Sequence, residues 1–168
     1  MSIDPRGAEI ARLLRERIAA LDLLVADADD ALWARICPGE GWAVGLETYH
    51  IGLGLARQGG WIIDRLGGAP AHDFSWDDTN ELNALIARTQ GWRVRSNVLS
   101  FLDEQADRVV RLMLRMSAAD WDTDAMTYGE RRRTAEFVMR VIALRHIDDH
   151  MRSIRAGVVG GDAPPRAG

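Results

Sequence analysis

The chain has 168 residues, 47% of them hydrophobic and 27% charged, with a net charge of -4. This describes one domain of ordinary size with enough apolar material for a full core. The charge balance argues against a nucleic-acid partner, because phosphate binding needs a basic footprint, and no apolar run approaches the roughly 18 residues of a membrane span. A single cysteine, Cys37, excludes an internal disulfide and fits a reducing compartment, where a packed, inert thiol is the expected state.

The N-terminal stretch MSIDPRGAEIARLL lacks the apolar core of a signal peptide, so a cytoplasmic location is expected. Asp4-Pro5 is a helix start, a capping Asp before Pro at the first helical position. Ile10, Leu13, Leu14, Ile18, Leu21, Leu24 and Val25 then keep the helical period to about Asp27. Asp29 to Cys37 reads as a helical turn ended by Pro38-Gly39. A second helix starts near Trp42 or Ala43, carries Val44, Leu46, His50, Leu53, Leu55, Trp61 and Ile62, and stops at Gly67-Gly68 before Pro70.

The turn-rich segment GGAPAHDFSWDDTN predicts a long connection. A third helical region begins near Thr79, breaks at Gly91 and resumes through Val98, Leu102, Val109, Val110 and Leu114. Ser117 to Tyr128 reads as a polar connection with a short turn around Ala118 to Trp121. The Arg131-Arg132-Arg133 run reads as the solvated start of the last helix, which spans about Thr134 to Arg155. No window alternates like a strand. The expected fold is all-α, a four-helix bundle with long crossover connections, as a single domain over 1–157 followed by a disordered Gly/Pro-rich tail over 158–168.

Chemistry concentrates on the last helix. Ile142, His146, His150 and Ile154 step by four residues, so both histidines continue an apolar stripe and face the bundle interior. Two buried imidazoles need partners, and two charged ones would repel; a shared metal ion meets both demands. His50, mid-helix among inward positions, is the third candidate ligand, and Gly52 and Gly54 beside it leave room near the backbone. His72, in the turn-rich loop, reads as a surface histidine, with a fourth ligand position as its alternative role.

Glu47, Tyr49 and Asp149 are candidate supporting residues around the metal: Glu47 lies one turn before His50 and could orient an imidazole or act as a base, and Asp149 lies one turn after His146. Arg145 is expected to pair with Asp148 or Asp149. The tryptophans, Trp42, Trp61 and Trp76 among them, read as core and loop anchors. Three other schemes fail on spacing. A carboxylate di-iron site needs a second Glu-x-x-His, but Ala143 and Ile147 stand three residues before His146 and His150. A zincin needs Glu where Ile147 stands. No G-x-S-x-G nucleophile elbow occurs.

The pieces GWAVGLETYHIG around His50, DFSWDDTNELNA in the connection and RHIDDHMRSIRAG on the last helix resemble the DinB-like metalloprotein superfamily. These are four-helix bundles with three histidines on two helices, unrelated to the DNA polymerase of the same name. The second and third pieces are closest to its mycothiol-dependent branch, and the resemblance covers about residues 5 to 157. It implies His50, His146 and His150 as the metal triad. The ion would be zinc, with nickel or iron as alternatives, and the protein a homodimer. Mycothiol or another small thiol would be cofactor to an S-transferase or isomerase acting on a small-molecule substrate. A hydrolase using metal-bound water and a non-enzymatic metal-binding dimeric bundle stay open beside it.

Overall fold

The computed structural model of the chain describes residues 3–39, 41–89 and 91–160. Helix α1, Pro5–Val25, starts where Asp4 accepts a hydrogen bond from the Arg6 backbone N–H, satisfying one of the donors that every helix start leaves bare. Asp29 caps the short α2, Asp30–Trp33, in the same way. The backbone then returns through a bridge between Ile36 and Ala43, with Gly41 at φ +70°, and launches α3, Val44–Leu66.

Strand β1, His72–Asp73, and α4, Trp76–Arg88, capped by Ser75, fill the expected long connection, so that helix begins three residues before Thr79. A 3-10 turn, Gly91–Arg93, leads to α5, Arg95–Met113. Ser117 and Asp120 form a reciprocal capping box on α6, Ala118–Trp121. Strands β2, Asp124–Tyr128, and β3, Arg131–Thr134, follow. The last helix has three parts: α7, Ala135–Phe137, a π-helical segment, Val138–Ala143, and α8, Leu144–Val159.

Helices α1 and α3 each pack against both α5 and α8, which places α1 and α3 on one diagonal of a four-helix bundle. Ile10, Leu14 and Leu21 of α1 meet Ile51, Leu55 and Ile62 of α3, Leu102 and Met113 of α5, and Ile147 and Ile154 of α8 in one continuous core. A forked ion pair ties α1 to α8: Arg17 Nε and Nη2 donate to the two oxygens of Asp148 at 2.8 and 2.9 Å. Among the described residues no helix is long and apolar enough to cross a membrane.

The fold is the expected helical bundle with one addition, a small sheet in the order β1-β2-β3. β1 runs parallel to β2 and β2 antiparallel to β3, with Tyr128 opposite Arg131. The hairpin needs only the two-residue loop Gly129-Glu130, and Gly129 at φ +57° supplies the positive angle such loops require. The Arg131-Arg132-Arg133 run is therefore a strand, not the start of the last helix. Helix α8 continues to Val159, past the expected domain end at 157; residues 161–168 of the expected tail lie outside the described residues.

Packing sets opposite signs for two glycine substitutions. A Cβ on Gly7 would fall 2.4 Å from the backbone carbonyl oxygen of Met113, whereas one on Gly60 meets nothing within 4 Å. Gly60→Ala should stabilise the protein by about 0.5–1 kcal/mol through helix propensity and reduced freedom of the unfolded chain. Gly7→Ala should cost about 1–3 kcal/mol despite the same propensity gain, because α1 must move off α5. Urea midpoints of the two variants check this; equal shifts would contradict the packing.

Candidate metal centre

One face of α3 and one face of α8 converge on three imidazoles. His50 comes from α3, His146 and His150 from successive turns of α8. Ring centroids lie 4.8 Å apart for His50–His146 and His50–His150, and 4.6 Å apart for His146–His150. One nitrogen from each ring falls within 4.8 Å of the others, so a modest inward movement of the rings would bring them to the separation of about 3.4 Å that a tetrahedral ion with Zn–N bonds of about 2.0–2.1 Å requires. Gly54 makes this approach feasible: a Cβ there would sit 2.5 Å from His146 Cε1 and 2.8 Å from its Nδ1. Trp42 closes one side, edge-on to His50 at 5.1 Å and parallel to His150 at 6.4 Å.

Burial, then the neighbouring histidines and Arg57, hold the His50 pKa down to about 3. His146 is also lowered to about 3, chiefly by burial and then by His150, against an opposing pull from Asp149. These rings are neutral at physiological pH, the state a metal ligand needs. His50 Nδ1 is buried without a hydrogen-bond partner, an orphan that a bound cation or its surroundings would satisfy. The residues present therefore fit a divalent ion.

Glu47 is wholly buried and both its oxygens are engaged. Its Oε2 accepts from His150 Nδ1 at 3.2 Å, and its Oε1 accepts from the Ser153 hydroxyl at 2.8 Å. A carboxylate only accepts, so the proton of His150 sits on Nδ1 and leaves the Nε2 lone pair free. Cys37 lies in the same buried corner. Burial and the Glu47 charge push its thiol up to about 12, which keeps it an unreactive packing residue.

The other candidates separate by position. Asp149 lines the cavity beside the triad and pairs with Arg145 at 3.5 Å and Arg152 at 3.1 Å. The Tyr49 ring packs on Phe101 of α5 at 5.4 Å. His72 stacks on Trp61 at 4.4 Å and is not part of the three-histidine cluster.

The cavity that meets the triad measures about 580 Å³. Trp42, Trp61 and Trp76 line it, while Trp42 and Trp61 also pack against the apolar core, the anchoring role expected of them. Arg57, Gln58 and Arg133 line it too and were not foreseen. Arg57 and Trp61 were within reach, since they follow His50 at spacings of seven and eleven on one helical face. Arg133 was not, because only the hairpin turns it inward. The π-helical segment also shapes this wall. Phe137 and Ile142, five residues apart, both line the cavity, a spacing that i→i+5 pairing brings into line and an ordinary α-turn would not.

No protein-family profile matches the sequence, and no curated protein matches it. The structure matches the crystal structure of the mycothiol-dependent maleylpyruvate isomerase with a TM-score of 0.66 at 17% identity, over 94% of this chain. This chain spans 64% of the length of that one. At that identity the likeness establishes the shared helical-bundle fold.

The lowered histidines set a pH dependence for the metal-free protein. Above the unfolded value of about 6.5 both states hold neutral imidazoles. As pH falls, the unfolded chain takes up protons that His50 and His146 refuse until about pH 3. Stability is thus fully present above pH 6.5 and lost between there and 3, with a slope of at most about 1.4 kcal/mol per pH unit per histidine. His72, lowered by burial, adds a loss of the same sign. Urea titrations of chelator-treated protein from pH 7 to 5.5, above the carboxylate range, should show the decline. His146→Asn should flatten it; an unchanged slope would contradict the buried neutral pair.

Proposed function

We propose that His50, His146 and His150 hold a divalent metal ion, zinc first with nickel and iron as alternatives, and that the protein is a metal-dependent enzyme acting on a small molecule in the adjoining cavity. The observation that carries this reading is the convergence of three buried or half-buried imidazoles from two helices on the end of a cavity of about 580 Å³. No fourth protein ligand joins them among the described residues. Glu47 is occupied with His150 and Ser153, and His72 with Trp61. An open position beside a cavity is the arrangement of a catalytic site, and a closed set of four that of a structural one.

Within this reading the chain's own groups have distinct tasks. Glu47 fixes the tautomer and orientation of His150, Gly54 admits His146 against the α3 backbone, and Trp42 shields the rings from water on one side. A divalent ion among three neutral imidazoles keeps its full charge and strongly acidifies a thiol or water bound to it. We assign the chemistry to a low-molecular-weight thiol of mycothiol type, as an S-transfer or isomerisation. The sequence resemblance and the bundle shared with a mycothiol-dependent isomerase support that assignment. Hydrolysis is the second reading, because the same acidification applies to water. Buried, unreactive Cys37 accords with a cytoplasmic setting.

Metal analysis tests the first claim. After gentle purification and repletion, the wild-type protein should hold about one ion per chain and His150→Ala far less. Glu47→Gln should weaken affinity by about 10- to 100-fold in a chelator competition, because the ring it orients is freed. Equal, negligible metal in wild type and His150→Ala would overturn the site. Turnover of electrophilic substrates only with added mycothiol or bacillithiol supports the thiol assignment, and thiol-independent ester or amide cleavage supports hydrolysis.

A further inference from the structure

The arginines of this chain show which of its cavities is built for a ligand. Among the described residues, half-buried arginines reach an oxygen almost everywhere. Arg6, Arg17 and Arg140 pair with carboxylates, while Arg35, Arg65 and Arg95 donate to backbone carbonyls. Arg57 and Arg133 are half-buried as well, yet neither has an oxygen partner among the described residues. Both line the cavity beside the triad. Each guanidinium lies over an aromatic ring four residues further along the chain, Arg57 over Trp61 at 5.7 Å and Arg133 over Phe137 at 4.5 Å. A planar cation stacked on a ring keeps its N–H edge for an acceptor.

A half-buried cation without a counter-charge is costly, and the cavity offers little to relieve it. Its one lining carboxylate among the described residues, Asp149, already pairs with Arg145 and Arg152. Two further lining groups wait for a partner: Gln58, 6% exposed, and Asn83 each bury a side-chain amide oxygen with no hydrogen bond. Six aromatic side chains, Trp42, Trp61, Phe74, Trp76, Tyr128 and Phe137, make up much of the apolar wall, with Leu53, Ile86, Met126 and Ile142 between them.

We infer that this cavity binds an aryl oxyanion, a ligand whose flat apolar body lies among the aromatic walls and whose carboxylate or phosphate head is held by Arg57 and Arg133. Paired guanidinium forks match either head group, and the unpartnered amides suit a hydroxyl on the ring. The inference rests on the proposed function only in taking this cavity as the substrate site. Binding of the anion requires neither metal nor thiol.

Calorimetric titration of the chelator-stripped full chain with naphthoate, naphthyl phosphate and naphthylmethanol tests it. At least one anion should bind about tenfold or more tighter than the neutral alcohol, and the tighter of the two identifies the head group. Arg57→Gln and Arg133→Gln should each weaken that anion about tenfold and leave the alcohol unchanged, with Arg57→Lys falling between. The inference fails if the alcohol binds as tightly as both anions, if no probe binds at millimolar concentration, or if both glutamine variants with native circular dichroism bind the anion like wild type. His150→Ala separates the two claims, since it should lose metal and keep the anion. Metal binding without anion binding sinks this inference alone, and the reverse sinks the metal site alone.

Discussion

The contact on which the centre depends is the buried carboxylate of Glu47, held between His150 of α8 and Ser153 one turn further on. A carboxylate with no exposure is tolerable only when its oxygens are saturated, and both are. That requirement fixes the registration of α3 against α8. It also fixes which nitrogen of His150 carries the proton, and it places a negative charge behind a ring that would face a cation. The cost of burying Glu47 is thereby converted into orientation of the site.

Around that contact the bundle supplies rigidity and the connections supply shape. α3 and α8 deliver the three histidines, while α4 and the β2–β3 hairpin close the cavity over them. The hairpin is anchored to the end of α3 by Arg65, which donates to the carbonyls of Asp124 at 3.0 Å and Ala69 at 3.2 Å. The long connections of the bundle are thus the walls of the site, where loops carried on a stiff scaffold concentrate function.

The helices and the inward bearing of the histidines were legible from the sequence because both follow from short-range periodicity. A repeat of four on the last helix orients His146 and His150, and the cap Asp4 before Pro5 marks a helix start locally, whereas Ser75, which caps α4, lies within the stretch expected as a connection. The inward face of α3 was equally available, and with it Arg57 and Trp61. What stayed hidden depends on long-range pairing. β1 is only two residues long and becomes a strand by lying beside β2, so no local alternation exists to detect. Once β2 and β3 pair, Arg133 turns from one of three exposed-looking arginines into a wall of the cavity. Glu47 was readable as a candidate from its spacing to His50, but its link to Ser153 was not, since that link is made across the bundle.

The π-helical segment before α8 has a consequence for how such a site can change. Each residue of an α-helix turns the next by about 100°, so residues on either side of Val138–Ala143 follow two different phases joined at a seam. Upstream, Phe137 is indexed to the hairpin. Downstream, His146 and His150 are indexed to the bundle. The hairpin side can therefore drift in length and register over generations while the histidines hold their bearing, and the two halves of the pocket behave as separately adjustable modules within one continuous rod.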